Sequence, residues 1–166
     1  MIFAIYGIIA AVALQRLFEL ALARRNARRL MAEGAIEYGA RHYPAIVLLH
    51  VSWLAAMVVY VPNPPQLHAI ALAAFAVLQA LRMWVLLSLG RFFTTRVFTL
   101  PEAPLVKTGP YRFMRHPNYA IVAGEILTLP LAFGEVTVAV VFSLVNAGLL
   151  GLRIRIEEQA LAARRK

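Results

Sequence analysis

The sequence predicts an all-α, polytopic integral membrane protein with about five transmembrane helices. Hydrophobic residues make up 61% of the 166-residue chain, charged residues make up only 15%, and the mean hydropathy is +0.71. An ordinary globular domain carries about 25% charged residues. A soluble protein of this length has too little interior to hide so much apolar surface, so we expect lipid to cover part of it.

Five apolar runs are the predicted spans, at residues 2–23, 45–61, 67–89, 119–133 and 136–152. The first run would extend about 33 Å as a helix, which is enough to cross the hydrocarbon core. The proline-rich stretch 62–65 interrupts the helical pattern, and Pro130 with Gly134 marks a tight hairpin. No Gly or Pro follows Gly151, so the last helix is expected to continue into the tail and project into the cytoplasm.

The charge distribution predicts the orientation. Five of the 17 Lys and Arg residues lie in each of the segments 24–43, 88–116 and 153–166, whereas the connections 62–66 and 134–135 have none. The positive-inside rule then places the N-terminus outside and the C-terminus inside. We therefore interpret the net charge of +9 as favouring contact with anionic lipid head groups rather than with nucleic acid.

The lack of cysteine and the position of the charges around the first apolar run exclude several kinds of site and segment. The chain has no cysteine, which excludes disulfides, thiolate metal sites and a catalytic thiol, and we predict no metal site. The first apolar run carries its positive charge after it, at Arg24 and Arg25, so a cleaved signal peptide is not expected.

Four residues that are charged at neutral pH fall within the predicted spans. Arg16 and Glu19 are three residues apart in the first run, which favours a local ion pair near its cytoplasmic end. Arg82 lies about two turns from the cytoplasmic end of the third run, within reach of the surface by snorkelling. Glu125 has no such escape and is therefore a candidate for substrate binding.

A polar and aromatic motif precedes the fourth span. It reads Thr-Gly-Pro-Tyr-Arg-Phe-Met-Arg-His-Pro-Asn-Tyr over residues 108–119. Pro117 suits the first turn of a helix and disfavours helical geometry at His116, which predicts His116 at the mouth of the fourth helix. Backbone donors, Arg112 and Arg115 there suit an anion, and the aromatic rings suit a cation. An interfacial belt of basic and aromatic residues explains the same pattern.

A second constellation follows the fifth span. Asn146, Arg153 and Glu157 are 7 and 4 residues apart and share one helix face, while Glu158 lies about 100° further round. A solvated helix with local ion pairs also accounts for this spacing.

Together, the Gly-Pro-Tyr-Arg-Phe-Met-Arg-His-Pro-Asn-Tyr stretch and the later Arg-x-x-x-Glu-Glu resemble the isoprenylcysteine carboxyl methyltransferase family. That family belongs to a wider group with the phospholipid N-methyltransferases. The resemblance covers about residues 90–160. The first half, with Gln-Arg-Leu-x-Glu-Leu at 15–20 and Arg-Arg-Asn at 24–26, is similar to a small bacterial branch, some of whose members methylate the hydroxyl of long-chain alkylpyrones.

The resemblance implies one membrane methyltransferase domain over 1–166, in a bacterial inner membrane, with its cofactor-binding half at about 90–166 facing the cytoplasm. S-adenosylmethionine would be the methyl donor and a lipophilic small molecule the acceptor. The cofactor-binding candidates are Gly109, Tyr111, Arg115, His116, Pro117, Tyr119 and Glu158. The catalytic candidates are Arg153, which would orient an acidic acceptor, and the carboxylates Glu157 and Glu158. The substrate-binding candidates are Arg153, Asn146 and Glu125.

Several alternatives stay open at this point. Ile121 stands where many family members have Gly, which leaves the acceptor undefined. The same fold also serves amine acceptors, as in phospholipid N-methyltransferases. An NADPH-dependent membrane reductase and a non-enzymatic lipid-binding protein are the alternatives of another class. A soluble Rossmann-type enzyme is excluded, because the chain has neither Gly-x-Gly-x-x-Gly nor a βαβ pattern. The sequence does not define the oligomeric state.

Overall fold

The structure is a computed structural model that describes residues 1–101, 103 and 105–162. Five α-helices account for most of these residues. They are α1 Ile2–Ala32, α2 Tyr43–Val59, α3 Ala69–Leu89, α4 Pro117–Ala132 and α5 Val136–Leu161. Short 3₁₀ turns lie at Ala40–His42, Gly90–Phe92 and Gly109–Arg112.

The predominantly helical architecture agrees with the sequence prediction. Among the described residues, four helical stretches are long and apolar enough to cross a membrane, and they contain α1, α2, α3 and α5. Helix α4 has only 16 residues and is not among them. The total of about five spans and the N-out, C-in orientation therefore stay predictions.

The prediction of an all-α fold is wrong at one place. Ile36–Tyr38 forms strand β1 and Val97–Thr99 forms strand β2, and the two pair antiparallel with Glu37 opposite Phe98. Arg96 adds an ion pair to Glu37 at 3.2 Å. Three residues are too few for a detectable alternation of polar and apolar side chains, so the sequence pattern contained no strand signal. The pair joins the α1–α2 connection to the α3–α4 connection.

Two helices are longer than their apolar runs. Helix α1 continues nine residues past the predicted end of the first span, through the arginine-rich segment to Ala32. Helix α5 continues past Gly151 to Leu161, which confirms the expected continuation that far. The predicted remainder, 163–166, lies outside the described residues.

The core contains side chains from all five helices. Helix α4 packs against both α3 and α5. Gly124 of α4 faces Leu78 of α3 so closely that a Cβ would lie 2.8 Å from a Leu78 methyl carbon. Small residues at such crossings are typical of membrane helices, where close packing replaces the hydrophobic effect as the driving force. The largest fully buried side chains include Trp53, Phe133, Ile5, Met57, Ile126 and Leu129.

A buried ion cluster ties α1, α3 and α4 together. Arg16 contacts both Glu19, at 3.1 Å, and Glu125, at 2.8 Å. Arg82 donates from Nε to Glu19 at 2.6 Å and from Nη1 to Glu125 at 3.1 Å, and its Nη2 makes a further short contact with Glu19. Gln79 donates to Glu125 at 3.0 Å. Two arginines and two glutamates thus neutralise one another.

The cluster corrects one expectation drawn from sequence and confirms another. Arg82 is only 6% exposed and bonds inward, so it does not snorkel to the surface. Arg16 and Glu19 do form the expected local pair, but Arg16 also reaches Glu125 on another helix. Contacts between helices of distant sequence position cannot be read from the periodicity of one helix.

Candidate active site

One wall of the candidate site is the α3–α4 connection, which packs against α3 and α5. Gly109 has a φ of +58° and lies so close to Ser88 of α3 that a Cβ would overlap the Ser88 hydroxyl group. Glycine alone combines this φ with this approach at little cost. Gly109 therefore fixes the position of the turn Gly109–Arg112 against α3.

The start of α4 forms a second wall. Pro117 is the first residue of the helix and is buried, and His116 immediately before it is non-helical, with φ −128° and ψ 56°. This is the geometry that the proline predicted. The His116 side chain does not cap the helix. Its ring stacks on Tyr119, with centroids 5.4 Å apart and planes 11° apart.

A hydrogen-bonded chain joins α4 to α5 at the floor of the site. Arg153 donates from Nε to the Tyr119 hydroxyl at 2.9 Å, and that hydroxyl makes a short hydrogen bond to Oε2 of Glu157. Arg153 also donates from Nη2 to the carbonyl of Thr95 at 2.7 Å. Its guanidinium lies 5.3 Å from the Tyr119 ring centroid. With Arg153 only 8% exposed, its orientation is set by contacts on several sides.

A second carboxylate lies beside His116. Glu158 Oε1 is 3.4 Å from His116 Nε2 and 3.7 Å from Arg115 Nη1. Glu157 Oε1 is 3.8 Å from the other ring nitrogen of His116, beyond hydrogen-bond reach. Both carboxylates thus lie at the mouth of α4, and this end of the site suits a positively charged group.

These groups surround a cavity with two adjoining parts. The inner part, of about 130 Å³, is lined by His116, Tyr119, Arg153 and Glu157 among others. The outer part, of about 810 Å³, shares Tyr111 and several other residues with it. The outer volume falls in the roughly 300–1,000 Å³ range of small-molecule sites.

Two buried polar atoms at the inner part have no hydrogen-bond partner among the residues that the structure describes. They are Nδ1 of His116 and Oδ1 of Asn118, both from residues that line the cavity. An unpaired buried polar atom is costly, which makes these atoms candidates to bond a ligand.

Tyr111 is held in its neutral form. Burial raises the pKa of its hydroxyl, and the negative charge of Glu157 raises it further. Tyr111 therefore stays protonated at physiological pH and offers the cavity a hydrogen-bond donor and an aromatic face.

Most of the predicted site residues come together here. Those that line the cavity are Tyr111, Arg115, His116, Tyr119, Arg153 and Glu157. Gly109, Pro117 and Glu158 hold or neighbour these residues through the contacts described above. Asn146 is buried about 10 Å further along α5 from Arg153, and Glu125 belongs to the ion cluster. Neither Asn146 nor Glu125 lines the cavity.

The sequence analysis missed other parts of the wall. Asn118 stands inside the motif, but no role was assigned to it. Leu30 and Ala35 come from α1 and the segment after it, Phe92 comes from the 3₁₀ turn after α3, and Phe98 comes from β2. Apolar wall residues carry no chemical signature. Polar residues that were also missed are Thr94, Arg96 and Lys107, which lie outside the motif. Asn118 stands inside the motif, next to Pro117, and so gave a signal that could have been used.

The fold and the cavity define a class of protein: a polytopic helical protein with long apolar helices and a polar, two-part site at one end. A family model described as the isoprenylcysteine carboxyl methyltransferase (ICMT) family matches residues 69–163. The chain belongs to this family, which is one of membrane methyltransferases. The match begins at α3 and so includes every element of the site except the wall from α1 and the segment after it.

Two relatives match almost the whole chain. The uncharacterized protein YpbQ of Bacillus subtilis (strain 168) is 40% identical over 158 residues, covering 93% of this chain and 94% of that protein. An uncharacterized protein of Haemophilus influenzae (strain ATCC 51907 / DSM 11121 / KW20 / Rd) is 27% identical over 154 residues, covering 89% and 88%. No solved structure matches the chain significantly.

Proposed function

We propose that this protein is an integral membrane methyltransferase that moves a methyl group from S-adenosylmethionine to an acidic oxygen of a lipophilic acceptor, either a carboxylate or a hydroxypyrone enol. The proposed location is a bacterial inner membrane, with the site at the cytoplasmic surface. Family membership supports the reaction class and the donor, since members of the family use S-adenosylmethionine.

The observation that carries the proposal is the Arg153–Tyr119–Glu157 chain at the floor of the cavity. It holds a guanidinium and a carboxylate in fixed positions beside the unpaired Nδ1 of His116 and Oδ1 of Asn118. A cation and an anion held this way suit a site that must orient two reactants of opposite charge.

The residues present fit the proposed donor. Its ammonium and sulfonium groups are cations, which the carboxylates of Glu157 and Glu158 would favour. Its adenine suits the aromatic walls at Phe92, Phe98 and Tyr111 of the outer part. When bound, S-adenosylmethionine supplies an electrophilic methyl group that is transferred in line to a nucleophile.

We assign binding of the acceptor to Arg153. Its Nε and Nη2 are engaged, but Nη1 has no hydrogen bond within the described residues. An acidic acceptor is an anion at neutral pH, so it requires an orienting cation rather than a general base. In our proposal Arg153 binds the acceptor oxygen, while Tyr119 and Thr95 keep the guanidinium still. Partial burial excludes water and strengthens this charge interaction.

Calorimetry tests the donor. We expect wild-type protein in detergent to bind S-adenosylmethionine, and Glu157→Gln to bind it at least tenfold more weakly, because the carboxylate beside the cation is lost. Glu33→Gln is the matched control, since Glu33 lies in an exposed ion pair with Arg91 and does not itself line the cavity. Absence of donor binding by folded wild-type protein would exclude the methyltransferase proposal.

The acceptor and the orientation need separate experiments. Incubating a bacterial lipid extract with labelled donor and enzyme should label an acidic lipid, whereas a labelled amine lipid would favour N-methylation. Reporter fusions within 62–66 and after Lys166 should lie on opposite sides of the membrane. Fusions on the same side would contradict the N-out, C-in arrangement.

A further inference from the structure

The C-terminal end of α1 carries four arginines on one face. Arg24, Arg25, Arg28 and Arg29 are all exposed, while Asn26, Ala27 and Leu30 of the same turns are buried. We call the four arginines the arginine face. At about 100° per residue, its centre lies about 180° from the centre of the buried side, so it points directly away from the protein.

The described carboxylates do not neutralise the arginine face. Within the part of the chain that the structure describes, no carboxylate forms an ion pair with any of the four guanidinium groups. Nearby Arg91, in contrast, contacts Glu33 at 3.3 Å. Four unpaired cations within about two helical turns create a strong positive potential.

The same side of α1 continues as an exposed apolar surface toward the N-terminus. Leu14, Leu17 and Phe18 are 67%, 63% and 67% exposed. Arg24 follows Leu17 by seven residues and Arg25 follows Phe18 by seven, so each pair lies nearly in line along the helix axis. Along the helix axis, Arg24 lies about 9 Å from Phe18, which is comparable to the distance from acyl chains to head-group phosphates.

We infer that this side of α1 is a binding site for an anionic glycerophospholipid. The phosphate would bind the arginine face, and an acyl chain would lie along Leu14, Leu17 and Phe18. Arginine suits the phosphate because its planar fork donates two parallel hydrogen bonds. The apolar continuation favours a lipid over a nucleic acid, which would have no use for the three exposed apolar side chains. This inference does not depend on the proposed methyl transfer.

Native mass spectrometry of the detergent-purified full chain tests the inference. The probes are dioleoyl phosphatidylglycerol and dioleoyl phosphatidylcholine at low salt. We expect wild-type protein to bind the anionic lipid at least tenfold more tightly than the zwitterionic one. The double variants Arg24→Gln/Arg28→Gln and Arg25→Gln/Arg29→Gln each remove two cations, so each should lose about thirtyfold in affinity for phosphatidylglycerol, at about 1 kcal/mol per cation. Each keeps half of the charges that favour correct insertion.

Two controls separate a site from a general charge effect. Replacing all four arginines by Lys keeps the charge but loses the planar fork, so it should reduce the lipid preference by more than about threefold. Arg91→Gln, which removes an already paired cation, should leave the preference unchanged. Equal binding of the two lipids by wild-type protein would overturn the inference. So would an equal loss in Arg91→Gln, or displacement of phosphatidylglycerol by a 20-nucleotide single-stranded DNA.

Discussion

Replacing Glu125 tests whether the buried ion cluster stabilises the fold. Glu125 is fully buried and accepts hydrogen bonds from Arg16 at 2.8 Å, Arg82 at 3.1 Å and Gln79 at 3.0 Å. Glu125→Gln leaves two guanidinium groups facing the single carboxylate of Glu19. Breaking a buried pair in this way costs about 3–5 kcal/mol.

The lower end of that range applies best here. Hydrogen bonds between membrane helices average only about 0.6 kcal/mol, because the unfolded chain in the membrane also finds partners. A loss of about 3 kcal/mol corresponds to a fall in Tm of roughly 6–12 °C for a chain of this size. Thermal unfolding of the purified protein in detergent measures this fall.

A double variant shows whether charge balance is the cause. Arg82→Leu/Glu125→Leu removes one charge of each sign and leaves the Arg16–Glu19 pair intact, so it should cost at least about 1 kcal/mol less than the sum of the single variants. Glu33→Gln, in an exposed pair, should cost under about 1 kcal/mol. A Tm of Glu125→Gln within 2 °C of wild type (roughly 1 kcal/mol or less), or strict additivity of the double variant, would refute the reasoning. Unchanged donor affinity in the folded variant would assign Glu125 to stability rather than to the site.

Three further predictions concern the site and the opposite end of the molecule. Arg153→Lys keeps the charge but loses the planar fork, so methylation of an acidic acceptor should fall at least tenfold at saturating donor while donor affinity in calorimetry stays within twofold; equal loss of both would place Arg153 in the donor site. Gly109→Ala should lower stability by about 1–3 kcal/mol and weaken donor binding, because a positive φ and an overlap with Ser88 coincide. Gly34→Ala, at φ +90° with nothing within 4 Å, is the control and should cost less in Tm. Burial raises the pKa of Glu135 to about 7, and both of its carboxylate oxygens lack a partner, so the folded state holds a proton that the unfolded state releases. As the pH rises from 4.5, the ordinary pKa of Glu135, to about 7, the Tm of wild-type protein should therefore fall relative to the Tm of Glu135→Gln. Above about pH 7 the difference between the two Tm values should stay constant. Parallel Tm curves over the whole range would contradict this prediction.

The helices were predictable because each is a property of local sequence. The apolar runs gave α2 and α3 to within two residues at each end, since proline and charge mark where they end. The motif at 108–119 gave the His116–Pro117 entry to α4 for the same reason. Local sequence determines local backbone geometry, so these elements could be predicted without knowledge of contacts between distant segments.

The parts that were missed depend on contacts between distant segments. Pairing of β1 with β2 joins residues about 60 apart, and the Arg153 contact with the Thr95 carbonyl joins residues 58 apart. Asn26 likewise donates to the carbonyls of Gly90 and Phe93. Backbone acceptors are present at every residue, so the sequence alone cannot show which one a side chain will use.

The ion cluster also bears on how the chain enters the membrane. Each intramembrane charge costs about 2.5–3.5 kcal/mol during insertion. Arg16 and Glu19 form an ion pair within α1, so the apolar part of that helix carries no net charge before it contacts another helix. Helix α3 lies in the most apolar of the four candidate spans and can bring in Arg82 unpaired. Glu125 follows on the short α4, and both arginines with which it pairs lie on helices that precede α4 in the chain.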